Sequence, residues 1–359
     1  MRSRMEDRYR RFSWLTDIGG IKSALAEMRG LGMPKQPRLD RVYIRTADDP
    51  VFDEAWFCAA LSDMLANNPA NRMEYPFTTE RIFEAPLVGF VAGDDPLFDE
   101  FKHIIGPHHF SPYEIMAWQA RKQGVPAPGK DAISVVSLIM PIAPVTIEEN
   151  ARQTQWLSER WAQTRLLGEI FSQTLVRAMV TLLMQHGILA VAPDATPQFC
   201  KKRYPKVGWA SPWSHRHVAY AAGLGTFGLH DFLITEKGAA HRTASFVVNL
   251  RLKPNRTRPK DIHAHCLQYQ GYECLRCARR CPVQAISSAG GHDKDACAER
   301  IKRSIPHCNK NYHIFIYGCG LCATGVPCAS CIPAALRRQD GAPDAGQPGI
   351  KVIKNVLEA

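Results

Sequence analysis

The sequence lacks a long apolar run and any internal repeat outside its cysteine-rich end. No stretch reaches the roughly 18–20 consecutive apolar residues that a membrane span needs. The longest apolar run, residues 133–145, contains two serines and two prolines, which favours a buried strand instead. We therefore expect a chain with no membrane partner.

The sequence also lacks a well-formed export leader. Arg10 and Arg11 suggest a twin-arginine signal, but Asp17 and Lys22 interrupt the segment that should be apolar. No small-residue cleavage site follows, and residues 12–30 have the apolar spacing of a short amphipathic helix. These features predict a cytoplasmic protein.

Acidic residues are in deficit, because 45 basic residues outnumber 34 acidic ones and give a net charge of +11. Such a balance suits either an acidic partner, such as tRNA, or simply a basic surface. The chain is 45% hydrophobic and 22% charged, which is ordinary for a globular protein with a sizeable core.

The pattern of apolar residues predicts helices that alternate with buried strands, and therefore an α/β or α+β fold. We expect an N-terminal helical region over 1–80, a main domain over 81–250, a linker over 251–260, a cysteine-rich domain over 261–335 and a tail over 336–359. The predicted helices are 53–66, 111–121 and 147–186, and the predicted strands are 133–140, 188–192, 232–235 and 245–250.

Cysteine is nearly absent before residue 266, where only Cys58 and Cys200 occur, whereas ten of the twelve cysteines lie between Cys266 and Cys331. Disulfides are rare in a reducing compartment, so clustered thiols there are more often metal ligands.

The string CLRCARRCP contains Cys274, Cys277 and Cys281 as C-x2-C-x3-C-P, close to the bacterial ferredoxin run C-x2-C-x2-C-x3-C-P. The expected first cysteine position is Gly271, and Cys266 can take that role if the intervening residues form an inserted loop. The cysteine before the proline should bind the other cluster.

A second run of six cysteines follows, and four of these six complete two sets of four ligands. Structural zinc also uses paired C-x2-C motifs, but the C-x3-C-P ending and the surplus of thiols favour two [4Fe-4S] clusters. Cys308 is an alternative to Cys297, and Cys331 is an alternative to Cys328. The predicted ligands are Cys266, Cys274, Cys277 and Cys328 for the first cluster, and Cys281, Cys297, Cys319 and Cys322 for the second.

The main domain contains a glycine-rich string, HVAYAAGLGTFG at 217–228, followed by FLITEKG at 232–238. The letters GLGTFG fit G-x-G-x-x-G, but helical residues precede them where a dinucleotide-binding fold needs a strand. A nicotinamide site is therefore disfavoured.

Together with the ferredoxin-type motif, this string resembles the corrinoid-dependent iron–sulfur reductases, namely epoxyqueuosine reductases and reductive dehalogenases. The resemblance covers about residues 80–335 and includes PLVGFVAGDDPLF at 86–98. It implies a nitroreductase-like domain that binds cobalamin, followed by a ferredoxin-like domain with two clusters. The backbone close to the corrin is then expected at Ala222, Gly223, Leu224, Gly225 and Gly228. Glycine lets a main chain approach a flat macrocycle, although a tight helix–strand turn explains it as well.

The sequence departs from both families. Where epoxyqueuosine reductases carry Y-A-R-G-x-D-Y-H, with an aspartate as proton donor, residues 161–168 read WAQTRLLG and place Leu166 at the aspartate position. Because leucine cannot donate a proton, tRNA is a possible but disfavoured partner. The tyrosine donor of dehalogenases cannot be assigned here.

Reductive cleavage consumes a proton, so a donor is needed beside the substrate. The candidates near the glycine-rich string are Tyr204, His215 and Tyr220, with His217 as a further one. The expected activity is reductive cleavage of a small organic substrate, with electrons from a low-potential donor such as ferredoxin or flavodoxin. The alternatives are an iron–sulfur electron carrier without corrinoid and a flavin-dependent nitroreductase-like enzyme.

Overall fold

The computed structural model describes residues 50–204, 207–289 and 291–337. The predicted helix at 12–30 and nearly all of the predicted tail lie outside the described residues. The helices are α1 (Glu54–Asn67), α2 (Leu97–Ile104), α3 (Pro112–Gln123), α4 (Pro144–Ala151), α5 (Glu159–Gln185), α6 (His215–Ala221), α7 (Arg276–Arg279), α8 (Lys294–Lys302) and α9 (Ser304–Tyr312). The strands are β1 (Leu87–Ala92), β2 (Ser134–Pro141), β3 (Ala190–Val191), β4 (Lys202–Tyr204), β5 (Gly208–Ala210), β6 (Gly225–Phe227), β7 (Leu233–Thr235), β8 (His241–Val248), β9 (Ile286–Ser287) and β10 (Gly291–His292).

The main sheet has the order β1-β2-β8-β3, and every neighbouring pair is antiparallel. All eight residues of β2 are buried, which confirms the predicted central strand. The mixture of helices and strands is as expected, and the antiparallel pairing selects the α+β form of the two alternatives.

Helices cover both faces of this sheet because alternate residues of each strand point to opposite sides. On one face, Val136 and Phe246 pack with side chains of α1 and α5. On the other face, Val135 and Val247 pack with side chains of α2, α3 and α6. Two hydrophobic layers therefore enclose the sheet.

Two of the predicted helix starts, at 53 and 111, are confirmed by their caps. The Asp53 side chain accepts the backbone N–H of Trp56 at the start of α1. Ser111 and Glu114 form the capping box of α3, with Pro112 at the first helical position.

The single helix predicted over 147–186 is wrong, because the structure has α4 and α5 with a break between them. Ser158 caps α5 by accepting the N–H of Trp161. The buried Asn150 side chain accepts the N–H of Ser158 and donates to Thr324, so a contact distant in sequence fixes the break. The end of α5 agrees with the predicted boundary at residue 186, and Gly187 follows it with a φ of 75°.

Within the described residues, α5 is the one helix long and apolar enough to cross a membrane by length and composition alone. Half of its most apolar window is buried inside the protein, and Phe171, Leu175 and Met179 belong to the core against the sheet. A core helix of a globular domain has the same properties.

The cysteine-rich region packs directly against α4 and the chain that follows it. Arg280 donates to the carbonyl of Leu321 and to the carbonyls of Asn150 and Gln153. Asn150 in turn donates to the carbonyl of Cys319. These bonds fix the second half of the cysteine region against the main domain.

Candidate functional site

Four of the predicted ligands surround one cavity in the cysteine-rich region. Cys266, Cys274, Cys277 and Cys328 all line it, together with apolar side chains such as Leu275. Burial, reinforced by the nearby Cys266 and Cys274, raises the pKa of Cys277 to about 11. Burial also raises the pKa of Cys328, and Cys266, Cys277 and Cys274 contribute to that shift. We call this group the first thiol set.

The other four predicted ligands form a second thiol set, which consists of Cys281, Cys297, Cys319 and Cys322. Burial raises the pKa of Cys297 to about 11, and Cys319 and Cys281 add to the shift. The pKa of Cys322 is also raised by burial, then by Cys319, Cys297, Cys277 and Cys281. Because Cys277 belongs to the first set, the two sets are close to each other.

Neither of the two alternative cysteines lines the cavity of the first set. Cys308 is fully buried, and burial raises its pKa to about 12 without a contribution from another cysteine. The Cys331 sulfur accepts a hydrogen bond of 3.0 Å from Arg337 and does not line the cavity of the first set. The structure thus brings together the eight thiols of the assignment, whose ligation stays a prediction.

The chemistry of the two sets suits clusters held by thiolates. A buried thiol with a raised pKa gives up its proton only if a positive charge stabilises the thiolate, and a metal centre supplies that charge. Three arginines interact electrostatically with the second set: Arg216 with Cys297 and Cys322, Arg280 with Cys322 and Cys319, and Arg300 with Cys319 and Cys281. In the described part of the chain, no group of three or more His, Cys, Asp or Glu side chains is placed to hold a single metal ion.

The glycine-rich turn, predicted to approach a corrin, packs against protein atoms. A Cβ on Gly225 would lie 2.5 Å from the carbonyl oxygen of Ile234 in the paired strand. The buried Ala222 and Leu224 pack beside Gly89 of β1. The tight-turn alternative therefore explains the glycine at 225. The corrin contact of residues 222–225 and 228 stays a prediction.

A second cavity, of about 320 Å³, lies between α5, β8 and the start of α6 and contains His215. His215 Nε2 is 3.3 Å from the Asp194 carboxylate, and His215 Nδ1 is 2.7 Å from the Ser245 hydroxyl. Burial alone would raise the pKa of Asp194, but His215 and Arg177 hold it below its usual value. We call this the His215 cavity. It is lined by Glu169, Ser172, Gln173, Asp194, His215, Arg216, Phe232, His241, Arg242 and Thr243.

Nine of the ten residues that line the His215 cavity have polar side chains, and these carry charges of both signs. Arg242 forms an ion pair with Glu169, which also binds Arg165. Arg216 donates to the backbone carbonyl of Asp231 and interacts with the second thiol set. Arg216 therefore lies between this cavity and the second thiol set.

The other predicted proton donors do not line the His215 cavity. Tyr204 is 2.7 Å from the Nδ1 atom of His108, and Tyr220 donates to the backbone carbonyl of Pro259. His217 is 2.7 Å from the Ser214 hydroxyl, and burial lowers the pKa of His217 to about 3. All of these roles as catalytic residues remain untested predictions.

The sequence reasoning missed Asp194 and Tyr317. Asp194 follows the short strand β3, and nothing in its local sequence indicates that it contacts His215. The Tyr317 hydroxyl accepts from Arg165, which together with Lys201 and Arg242 lowers the pKa of Tyr317 against the opposing effect of burial. Neither residue lies in a motif.

Comparison with known proteins supports the resemblance over part of the chain. No family model matches. Tetrachloroethene reductive dehalogenases of Desulfitobacterium hafniense and Dehalobacter restrictus are each 33% identical over 121 residues, which is 32% of this chain. The chain spans only 20% of the length of these curated relatives. The predicted resemblance to reductive dehalogenases is thus confirmed in sequence.

Solved structures give weaker likenesses. A catabolic reductive dehalogenase in complex with 3-bromo-4-hydroxybenzoic acid has a TM-score of 0.47 and 16% identity, covering 89% of this chain and 38% of that one. An epoxyqueuosine reductase with a modified tRNA stem loop has a TM-score of 0.39 and 16% identity, covering 70% of this chain and 63% of that one.

Proposed function

We propose that this chain is an iron–sulfur oxidoreductase that holds two [4Fe-4S] clusters and reductively cleaves a small organic substrate in the His215 cavity. One observation carries the proposal: four of the assigned thiols line one cavity, and the other four interact electrostatically with one another beside it. Cys281, which precedes a proline, interacts with the second set, as the ferredoxin motif requires.

The positions of the two sets suggest the direction of electron transfer. Cys277 and Cys322 connect the sets electrostatically, and Arg216 lies between Cys322 and the His215 cavity. Electrons from a low-potential donor of the ferredoxin or flavodoxin class would enter at the first set and leave from the second set.

The cavity supplies the proton that reductive cleavage needs. Replacing a leaving group by hydrogen consumes two electrons and one proton and releases the leaving group as an anion. The Asp194 carboxylate lies 3.3 Å from Nε2 of His215 and so orients the imidazole ring. We assign His215 as the proton donor and Asp194 as its positioning residue.

The resemblance also implies a corrinoid, which when bound would supply a strongly nucleophilic reduced cobalt. A Cβ on Gly225 would meet the Ile234 carbonyl of the paired strand, so the glycine at that position is explained by the turn and gives no evidence of a macrocycle. We derive no step through this group. The same observation favours the second candidate, an iron–sulfur electron-transfer protein without corrinoid. Reduction of tRNA stays disfavoured, because Leu166 packs against the hydrophobic core.

Elemental analysis tests this proposal. The protein is produced anaerobically with cobalamin supplied, and its iron, zinc and cobalt contents are measured together. About eight irons per chain support the two clusters, whereas zinc in place of iron would overturn them. One cobalt per chain supports the corrinoid, and about eight irons without cobalt supports the electron-transfer candidate. Absorption after the clusters are bleached separates a corrinoid from a flavin.

A further inference from the structure

The hairpin formed by β6 and β7 contacts the first thiol set through its tip. His230 is 1% exposed, and its Nε2 atom lies 3.4 Å from the sulfur of Cys328. His230 and Cys328 both line the cavity of the first set. The glycine-rich string therefore reaches a predicted cluster ligand.

The hydrogen-bond pattern determines which ring nitrogen of His230 carries the proton. The Nδ1 atom accepts the backbone N–H of Phe232 at 3.1 Å, so it has no proton of its own. In a neutral imidazole the other nitrogen is then the donor. The Nε2–H of His230 consequently faces the Cys328 sulfur, which becomes a strong acceptor as a thiolate.

The surrounding backbone fixes this contact in place. The N–H of Ala239 donates to the carbonyl of Cys328 at 2.8 Å, and the N–H of Ala240 donates to the carbonyl of Ala329 at 3.0 Å. A Cβ on Gly228 would lie 2.6 Å from the His230 ring. Glycine at 228 thus leaves room for the imidazole beneath the turn.

We propose that His230 is a positioning residue of the first cluster, donating an N–H···S hydrogen bond to Cys328 and raising the reduction potential of that cluster. The inference rests on the proposed function, because it requires a redox cluster at the first thiol set. A hydrogen bond to a ligand sulfur stabilises the reduced cluster, which carries one more negative charge than the oxidised form. The contact between His230 and Cys328 also connects the hairpin of the main domain to the cysteine-rich region.

Two substitutions and a redox titration test the proposal. His230→Leu removes the donor at similar size, whereas His230→Gln keeps an N–H that reaches the same place. Iron is measured in each anaerobic preparation, and midpoint potentials are followed by electron paramagnetic resonance. We expect the first cluster of His230→Leu to shift to a more negative potential, His230→Gln to recover much of the shift, and the second cluster to stay unchanged.

An unchanged potential in a fully loaded His230→Leu variant would overturn the proposal. If His230 had a purely structural role, both variants would lose iron, and the midpoint potential of the clusters that remain would be unchanged. If His230→Leu does not fold, the wild type is labelled with 15N-histidine and reduced, and its nitrogen hyperfine coupling is measured. Coupling that is present in the labelled wild type and absent from His230→Gln labelled in the same way supports the bond. Absence of coupling in the labelled wild type refutes it. A wild type without any cluster signal refutes the proposed function itself.

Discussion

The carboxylate of Asp194 lies 3.3 Å from Nε2 of His215 at the edge of a polar cavity. The same histidine is 2.7 Å from Ser245 through its other ring nitrogen. The imidazole is therefore held from two sides, and its orientation depends on Asp194 and Ser245 together.

This arrangement predicts a graded loss of reductive activity. His215→Gln should lower kcat by about 10²-fold or more, because the proton donor is lost. Asp194→Asn should lower kcat less than His215→Gln, because the imidazole keeps its contact with Ser245 and loses only one of the two contacts that orient it. Turnover is measured with reduced methyl viologen and panels of halogenated and epoxide compounds.

Thr243→Val is the matched control, because Thr243 lines the same cavity but its hydroxyl is not an acid that could replace an imidazole. Its rate should stay within a few-fold of wild type. Equal rates for wild type and His215→Gln at every pH would assign the proton to another group, with Tyr317 as the next residue to substitute.

Paired serine substitutions test the cysteine assignment. Cys297→Ser and Cys328→Ser should each lower iron from about eight to about four per chain, because each removes one ligand of a four-iron cluster. Cys308→Ser and Cys331→Ser should keep full iron, because burial accounts for the raised pKa of Cys308 without another cysteine and the Cys331 sulfur is hydrogen-bonded to Arg337. The measurement is iron content with the visible spectrum of the anaerobic protein. Full iron in Cys297→Ser would return Cys308 to consideration as a ligand.

The stability of the fold should fall as the pH drops below neutral. Burial lowers the pKa of His109 to about 4, and its Nε2 atom accepts the N–H of Ser214. The unfolded chain binds the proton more readily, so this stabilisation is complete above about pH 6.5 and is lost progressively as pH falls toward 4. Between pH 7 and pH 5 the expected loss from this one group is about 2 kcal/mol.

The check compares apparent Tm values at pH 7 and pH 5. In His109→Gln, whose amide oxygen can still accept from Ser214, the pH-dependent drop in Tm should be smaller than in wild type. The exposed His103→Gln variant serves as the control and should keep the wild-type difference. Parallel pH curves for all three proteins would contradict the assignment to His109.

Features that depend on neighbouring residues could be predicted from the sequence. The capping box of Ser111 and Glu114 uses residues three positions apart, and the buried strand β2 is a continuous apolar run. The grouping of the thiols followed from the known crossing pattern of ferredoxin motifs. The cap and the strand are encoded in the local sequence, whereas the thiol grouping follows from a motif pattern that spans residues 266–328.

Contacts between distant segments could not be predicted in this way. The break between α4 and α5 depends on the Asn150 side chain, which binds Thr324 far along the chain. The Asp194–His215 pair and the His230–Cys328 contact likewise join separate elements. The glycine-rich string was interpreted through its resemblance to a family. Its packing depends on the pairing of β6 with β7, which the sequence does not show.

The second thiol set should be most sensitive to a glycine between two of its ligands. Gly320 has φ of 73°, and a Cβ there would lie 2.2 Å from the ring of Trp161. That indole is 8% exposed and belongs to the hydrophobic core, so it cannot move aside cheaply. Gly320→Ala should therefore displace Cys319 and Cys322 and remove about half of the iron, as measured by iron content and apparent Tm.

Gly271→Ala separates this steric effect from backbone strain alone. Gly271 has φ of 84°, but no atom lies within 4 Å of a Cβ placed there. The variant should lose only about 1 kcal/mol of stability from the left-handed backbone and keep both clusters. If Gly320→Ala behaves like Gly271→Ala, the close packing of Trp161 against the second thiol set is not required for cluster binding. If only Gly320→Ala loses iron, α5 is part of the framework that holds the cluster nearest the His215 cavity.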